Sequence, residues 1–262
     1  MNSDNIRYWL SGGRKRQVLE LYDLVRPMTC EGLGKVRVGN DKKDGGYVMA
    51  DDFEGIEAAL SLGIGHDISW DVEMTKLGVE IYQYDHTVEA PVEVADNPRL
   101  HFHKAGIAAE SDPSIPMRSL KDVMADEMSE HSGDLILKID IDGYEWEVFE
   151  TMPQEVLKRF RQICIEIHHP LARPGQPAKR EQHLDVLRRL HRDFAPVHLH
   201  ANNAGPVREL SGLRVPKLLE ITYIRRDGRE FRESEESFPG DFDVPNIPGK
   251  PEIPIGRIVG LR

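Results

Sequence analysis

The chain is poor in cysteine, has no long apolar run and shows no basic patch. Its 262 residues hold only two cysteines, Cys30 and Cys164, too few for a disulfide framework. Cys164 sits in an apolar strand pattern and reads as core; Cys30 lies in a turn-rich stretch. No apolar run approaches the ~20 residues that cross a bilayer, and Met1-Asn2-Ser3-Asp4-Asn5 lacks the apolar stretch of a signal peptide. A cytoplasmic protein with no membrane partner is therefore expected. A net charge of −11 argues against duplex nucleic acid as a partner. There is no G-x-S-x-G, no tyrosine with a lysine four residues on, and no P-loop. These absences disfavour an α/β-hydrolase, a reductase and a P-loop enzyme.

What is present begins with Ala58-Ala59-Leu60-Ser61-Leu62-Gly63-Ile64-Gly65-His66-Asp67-Ile68-Ser69-Trp70-Asp71. It reads as a buried strand, a glycine turn and a helix start. A second strand, Val79 to Tyr84, ends on Asp85. This is the layout of a nucleotide-type cofactor site: glycines admit the ligand, the helix start adds positive potential, and the later carboxylate accepts from ribose hydroxyls. The third glycine of a dinucleotide fingerprint is missing, and Asp67 and Asp71 would repel a pyrophosphate. A ligand with a cationic centre and no phosphate, such as S-adenosylmethionine, fits better.

Strands and helices alternate from residue 57. Apolar runs mark strands at Ala58–Leu62, Glu80–Tyr84, Leu100–Ala105, Leu135–Asp140, Arg161–Ile167, Val197–His200 and Leu218–Ile224. Helical spacing marks Ile68–Leu77, Leu120–Met128, Trp146–Leu157 with a break at Pro153, and Lys179–Phe194. No helix signal separates the last two strands, which suits an antiparallel return. The expected fold is α/β: a seven-stranded Rossmann-like sheet of the class I methyltransferase type, its last strand antiparallel, with helices on both faces. The expected organisation is an entry segment with a helix and a hairpin (1–56), the sheet domain (57–226) and a Pro/Gly-rich acidic tail (227–262). That tail is read as flexible or draped, with a lid or an oligomer contact as the alternative.

Polar residues gather where strands leave the sheet. Lys138, Asp140 and Asp142 would share one strand face. Glu166 and His168 end the next strand, His198 and His200 the one after, and Glu220 begins the last. Asp140, Glu166 and His168 are expected to converge, as a general base for an acceptor hydroxyl or amine or as ligands of a divalent cation. Asp142 and Glu145 also read as the start of the next helix.

With these residues in hand, the chain resembles the FkbM-type S-adenosylmethionine-dependent methyltransferases, and among them the group that includes methyltransferase-like protein 24. The resemblance rests on Arg37-Val38-Gly39, Asp44-Gly45-Gly46-Tyr47-Val48, Ser61 to Gly65 with Ser69-Trp70-Asp71, and Tyr84-Asp85-His86-Thr87. It continues in Leu137 to Gly143 with Glu145-Trp146, His200-Ala201-Asn202-Asn203, and Pro216-Lys217-Leu218-Leu219-Glu220. It implies that Gly63 and Gly65 cradle the cofactor, Asp85 holds its ribose, and Ala105-Gly106-Ile107 flank the adenine. The candidate cofactor set is Gly63, Gly65, Asp67, Asp85, His86, Gly106, Ile107 and Asp140. The candidate catalytic set is Asp140, Glu166, His168 and His200. Some related sugar methyltransferases carry a divalent cation at the acceptor site, so the cation stays an open expectation. The acceptor is expected to be a small molecule or sugar-like and to receive the methyl on oxygen or nitrogen; association with a second copy stays open. Two rivals use the same scaffold: a metal-dependent hydrolase or lyase, and an S-adenosylmethionine-binding protein without turnover.

Overall fold

The apolar runs become strands because both faces of the sheet are covered. The computed structural model describes residues 12–173 and 175–260; the rest of the expected entry segment and tail lies outside them. Helix α1 (Arg14–Leu24) buries Val18 and Leu21 and leads to β1 (Met28–Cys30). A hairpin follows, β2 (Lys35–Gly39) with β3 (Gly46–Ala50), in register from Lys35↔Ala50 to Gly39↔Gly46. Then come β4 (Ile56–Leu62), α2 (Ser69–Lys76), β5 (Glu80–Tyr84), the single turn α3 (Glu93–Asp96) and β6 (Leu100–His103). Two short parallel strands, β7 (Gly106–Ala108) and β8 (Met117–Ser119), precede α4 (Leu120–Asp126) and β9 (Asp134–Ile139). Helix α5 (Glu145–Thr151) is separated from α6 (Gln154–Leu157) by Pro153 in an extended conformation, since proline bars the preceding residue from helix. Strand β10 (Phe160–His168), helix α7 (Pro177–Asp193) and β11 (Phe194–His200) follow. A hairpin of β12 (Val207–Leu210) with β13 (Leu213–Pro216), then β14 (Leu218–Arg225) and β15 (Phe231–Glu233), complete the order.

The main sheet runs β11-β14-β10-β9-β4-β5-β6. Strand β14 is antiparallel to both its neighbours, and the other pairs are parallel. This is the expected arrangement. Alternation along the central strands feeds two cores. Leu60, Leu62, Leu135 and Leu137 pack with α1, α4, α5 and α7; Ala59 and Ile136 pack with the β2–β3 hairpin and with Trp70 and Met74 of α2. Among the described residues no helix is long and apolar enough to cross a membrane.

One local expectation is corrected. Strand β9 stops at Ile139, so its alternation does not reach position 142. Asp142 takes a left-handed φ of 55° and its side chain is almost fully exposed, off the face that Lys138 and Asp140 were to share with it. The segment after Arg226 is laid along the sheet edge and fastened there. Strand β15 pairs with β1. Asp243 meets His198 at 2.8 Å, Glu252 meets His200 at 3.1 Å, and Asn203 accepts from Ile247 N–H at 2.8 Å.

Candidate functional site

The carboxyl ends of β4, β5, β9 and β10 open into a cleft of about 1340 Å³, the place where ligands bind open α/β sheets. That volume exceeds what one drug-sized ligand fills, so it has room for a donor and an acceptor together.

Gly65, Asp85, His86, Gly106 and Ile107 line one half. The two glycines of the bend have different reasons to be glycine. A Cβ on Gly63 would lie 1.7 Å from the Asp140 carbonyl oxygen, so this position is dictated by the neighbouring strand end. A Cβ on Gly65 would meet nothing within 4 Å; it faces open space, with φ at 55°. Asp85 is the hub of this half. Its Oδ2 accepts from Gly65 N–H at 3.0 Å, and its Oδ1 accepts from Thr87 N–H at 2.7 Å and Thr87 Oγ1 at 2.6 Å. Burial pushes its pKa up, but these bonds outweigh it and hold the carboxyl below its usual value. Oδ2 carries one protein bond, so it keeps acceptor capacity for a ligand hydroxyl.

Asp67, of the expected cofactor set, is held by local partners. Its carboxylate accepts from Asn40 Nδ2 at 2.8 Å and Ser69 N–H at 3.0 Å, and lies 3.5 Å from Lys43 Nζ. It braces the hairpin loop against α2 and does not line the large cleft. A short polar side chain at a helix start satisfies local backbone donors first.

Asp140, Glu166 and His168 line the other half, and one ligating atom from each lies within 4.8 Å of the others. Glu166 Oε1 is 3.4 Å from His168 Nε2, and Asp142 Oδ1 is 3.5 Å from the same nitrogen. Burial raises the pKa of Asp140 and, more strongly, of Glu166, and Asp140 raises Glu166 further. Two carboxylates this close do not both hold a full charge near neutrality. Burial alone would lower the pKa of His168; Glu145, Asp140 and Asp142 outweigh it and raise it.

Glu145 is the support beneath this cluster. It is fully buried; Oε2 accepts from Gly143 N–H at 2.7 Å and Oε1 from His168 N–H at 2.6 Å. It thereby ties the start of α5 to the end of β10. Trp146 adds a second tie, donating Nε1–H to the His168 carbonyl at 2.7 Å while its ring stacks on His183. Lys138 lies under the glycine bend, with Nζ 3.3 Å from the Gly63 carbonyl.

His200, expected among the catalytic residues, does not line the cleft. It is buried one layer behind, with Nδ1 3.0 Å from Glu220 Oε2 and Nε2 3.1 Å from Glu252 Oε2. The alternation that put His200 on the face of Glu220 is real; the C-terminal segment covers that face. Asn202, which does reach the cleft, donates from Nδ2 to Glu166 Oε2 at 2.7 Å. Asp44 of the β2–β3 loop also lines the cleft. The candidate sets omitted both. Their signal was membership of the quoted sequence blocks, with no pattern of their own.

The model of the methyltransferase FkbM domain matches residues 38–195. No curated protein matches the chain. Among solved structures, a similar chain is 1,6-didemethyltoxoflavin-N1-methyltransferase of Burkholderia thailandensis, with bound 1,6-didemethyltoxoflavin and S-adenosylhomocysteine. It is 12% identical, with 85% of this chain and 86% of that chain covered and a TM-score of 0.32.

Proposed function

The chain belongs to the FkbM methyltransferase family, and from that premise we propose that it moves a methyl group from S-adenosylmethionine to an oxygen or nitrogen of a small-molecule or sugar-like acceptor. Family membership makes the protein a methyltransferase enzyme, which sets aside the hydrolase and lyase rival. The observation that carries the finer reading is a single cleft with Gly65 and Asp85 in one half and Asp140, Glu166 and His168 in the other.

The donor half fits S-adenosylmethionine: open space at Gly65, spare acceptor capacity on Asp85, and carboxylates in place of phosphate-binding cations. When bound, this cofactor supplies a methyl group on a sulfonium, which makes the methyl carbon electrophilic. Asp85 would hold the ribose, and His86, Gly106 and Ile107 would flank the base. Asp140 would take the acceptor proton. Its raised pKa puts it closer to neutrality than an ordinary carboxylate, where a general base works best. His168, whose pKa Glu145, Asp140 and Asp142 raise, would orient the acceptor oxygen rather than remove its proton. In-line positioning supplies the rest of the rate.

A second reading has one observation in its favour. The oxygens of Asp140 and Glu166 and a nitrogen of His168 form a donor set suited to a divalent cation. A cation held there would supply positive charge to the acceptor oxygen.

Calorimetry with S-adenosylhomocysteine is the first test. Wild type should bind it, and Asp85→Ala should bind about tenfold or more weakly, the scale of a lost charge-assisted hydrogen bond. No heat at high micromolar ligand would end the proposal. Product formation from S-adenosylmethionine across a panel of sugars and amines, with and without a chelator, then separates the base reading from the metal reading.

A further inference from the structure

We propose that the C-terminal segment braces the acceptor half of the cleft from behind, with Asn246 as a positioning residue that sets Glu166 through Glu220 and Asn202. The proposal rests on the methyltransferase reading only for what Glu166 does.

Asn246 lies in a Pro/Gly-rich stretch outside any helix or strand, yet it is 3% exposed. Its Nδ2 donates to Glu220 Oε1 at 2.5 Å and to Asp44 Oδ1 at 3.1 Å, and its carbonyl accepts from Asp44 N–H at 3.2 Å. One amide nitrogen, with two hydrogens, therefore serves two carboxylates from distant parts of the chain. Its Oδ1 is buried and has no partner among the described residues, so the residue acts here as a donor. An aspartate would set a third negative charge against the other two, and an apolar residue would leave both without their donor.

The next link is Glu220. The same Oε1 also accepts from Asn202 Nδ2, at 3.3 Å, while Oε2 faces His200. Asn202 gives its shorter bond, 2.7 Å, to Glu166 Oε2. That bond leaves Glu166 Oε1 beside His168 Nε2 in the cleft. With Asn246 removed, Glu220 Oε1 keeps, among the described residues, only Asn202 as a side-chain donor and competes with Glu166 for it. A shift of the order of an ångström in such a group is enough to slow a positioned reaction by orders of magnitude.

The family match ends at residue 195, before Asn202, Glu220 and Asn246. The carboxylate that faces His168 is therefore oriented by parts of the chain beyond the matched domain. The bland rival is that Asn246 only fastens the segment. Asn203 supplies the control: it fastens the same stretch, by bonds with Ile247 and Lys250, and touches neither Glu166 nor Glu220.

The experiment follows the side-chain amide signals of Asn202 by ¹H–¹⁵N NMR in the full chain. In Asn246→Ala these signals should move, and their hydrogens should exchange about tenfold faster or more, as expected when a buried hydrogen bond is lost. In Asn203→Ala they should stay near their wild-type positions. Both variants should bind S-adenosylhomocysteine within about twofold of wild type, because Gly65 and Asp85 are untouched. On the acceptor found by the panel, kcat of Asn246→Ala should fall by about tenfold or more with the donor KM unchanged. If Asn246→Ala does not fold, Asn246→Ser, which keeps one donor hydrogen, reads the same signals. Unmoved Asn202 signals in the Asn246 variant, or equal movement in Asn203→Ala, would overturn the proposal. A wild type that binds no S-adenosylhomocysteine would instead strike the methyl-transfer reading and leave the amide signals to decide the positioning.

Discussion

His200 and Glu220 are register partners on β11 and β14, and their buried side chains meet at 3.0 Å between Nδ1 and Oε2. Glu252 takes the other ring nitrogen at 3.1 Å. Burial opposes a charge on the imidazole, but Glu220, Asp243 and Glu252 outweigh it and raise the pKa from 6.5 to about 9. His198, two residues earlier, goes the other way: burial dominates over Asp243 and lowers its pKa. Two histidines on one strand face thus differ because one meets two carboxylates and the other meets one.

The sign of the resulting pH dependence is set by a folded pKa above the unfolded one. The stabilisation by His200 is complete below pH 6.5 and is lost as pH rises toward about 9. It is of the order of a few kcal/mol at most. Urea midpoints should fall across that window, and Glu252→Gln should flatten the fall. An identical slope in wild type and variant would show that Glu252 does not hold the charge.

The two glycines of the bend should respond differently to one methyl group. Gly63→Ala meets a backbone oxygen at 1.7 Å and should cost about 3 kcal/mol or more, or prevent folding. Gly65→Ala has open space and should cost only about 1 kcal/mol for its positive φ. It should still weaken S-adenosylhomocysteine, because the methyl enters the cleft. Thermal melts read the first effect and calorimetry the second; equal stability losses would contradict the assignment.

Asp140→Asn should lower methyl transfer by about 10²–10⁴-fold, the range for a general base, while S-adenosylhomocysteine affinity changes little. It should also lower the pKa of Glu166, since Asp140 is the largest cause after burial that raises it. A carboxyl-labelled NMR titration follows that shift. Unchanged turnover in Asp140→Asn would move the base to another residue.

Trp146→Phe keeps the stack on His183 but removes the donor to the His168 carbonyl, 2.7 Å away. A stability loss of about 1–2 kcal/mol is expected, measured as a lower urea midpoint. A larger drop in turnover than in donor affinity would show that the tie orients His168. Equal changes in both would make it a packing residue only.

Much of the molecule was legible in the sequence because two of its signals are local. Apolar runs at strand length, broken by glycine and proline, marked the sheet; the glycine bend followed by Asp85 pointed to the half of the cleft that these residues line. Convergence of Asp140, Glu166 and His168 followed from neighbouring strand ends. Asp67 and His200 stand off the large cleft for one reason: each is a polar side chain beside it whose partner comes from elsewhere. Asn40 of the hairpin loop draws Asp67 off, and Glu252 of the C-terminal segment covers His200.

The places of strands and helices along the chain and the helix-free return to the last strand are consequences of residue pattern, since periodicity and turn residues act over a few positions. Which polar groups reach the cleft was decided only when distant segments packed. Asn246 reads as one more polar residue in a proline-rich stretch, and Gly63 as one more glycine made for a ligand. Only the tertiary structure sets Asn246 between Asp44 and Glu220, and Gly63 against the Asp140 carbonyl. Hydrogen-bond geometry depends on partners within about 3 Å, and sequence separation carries no information about those partners.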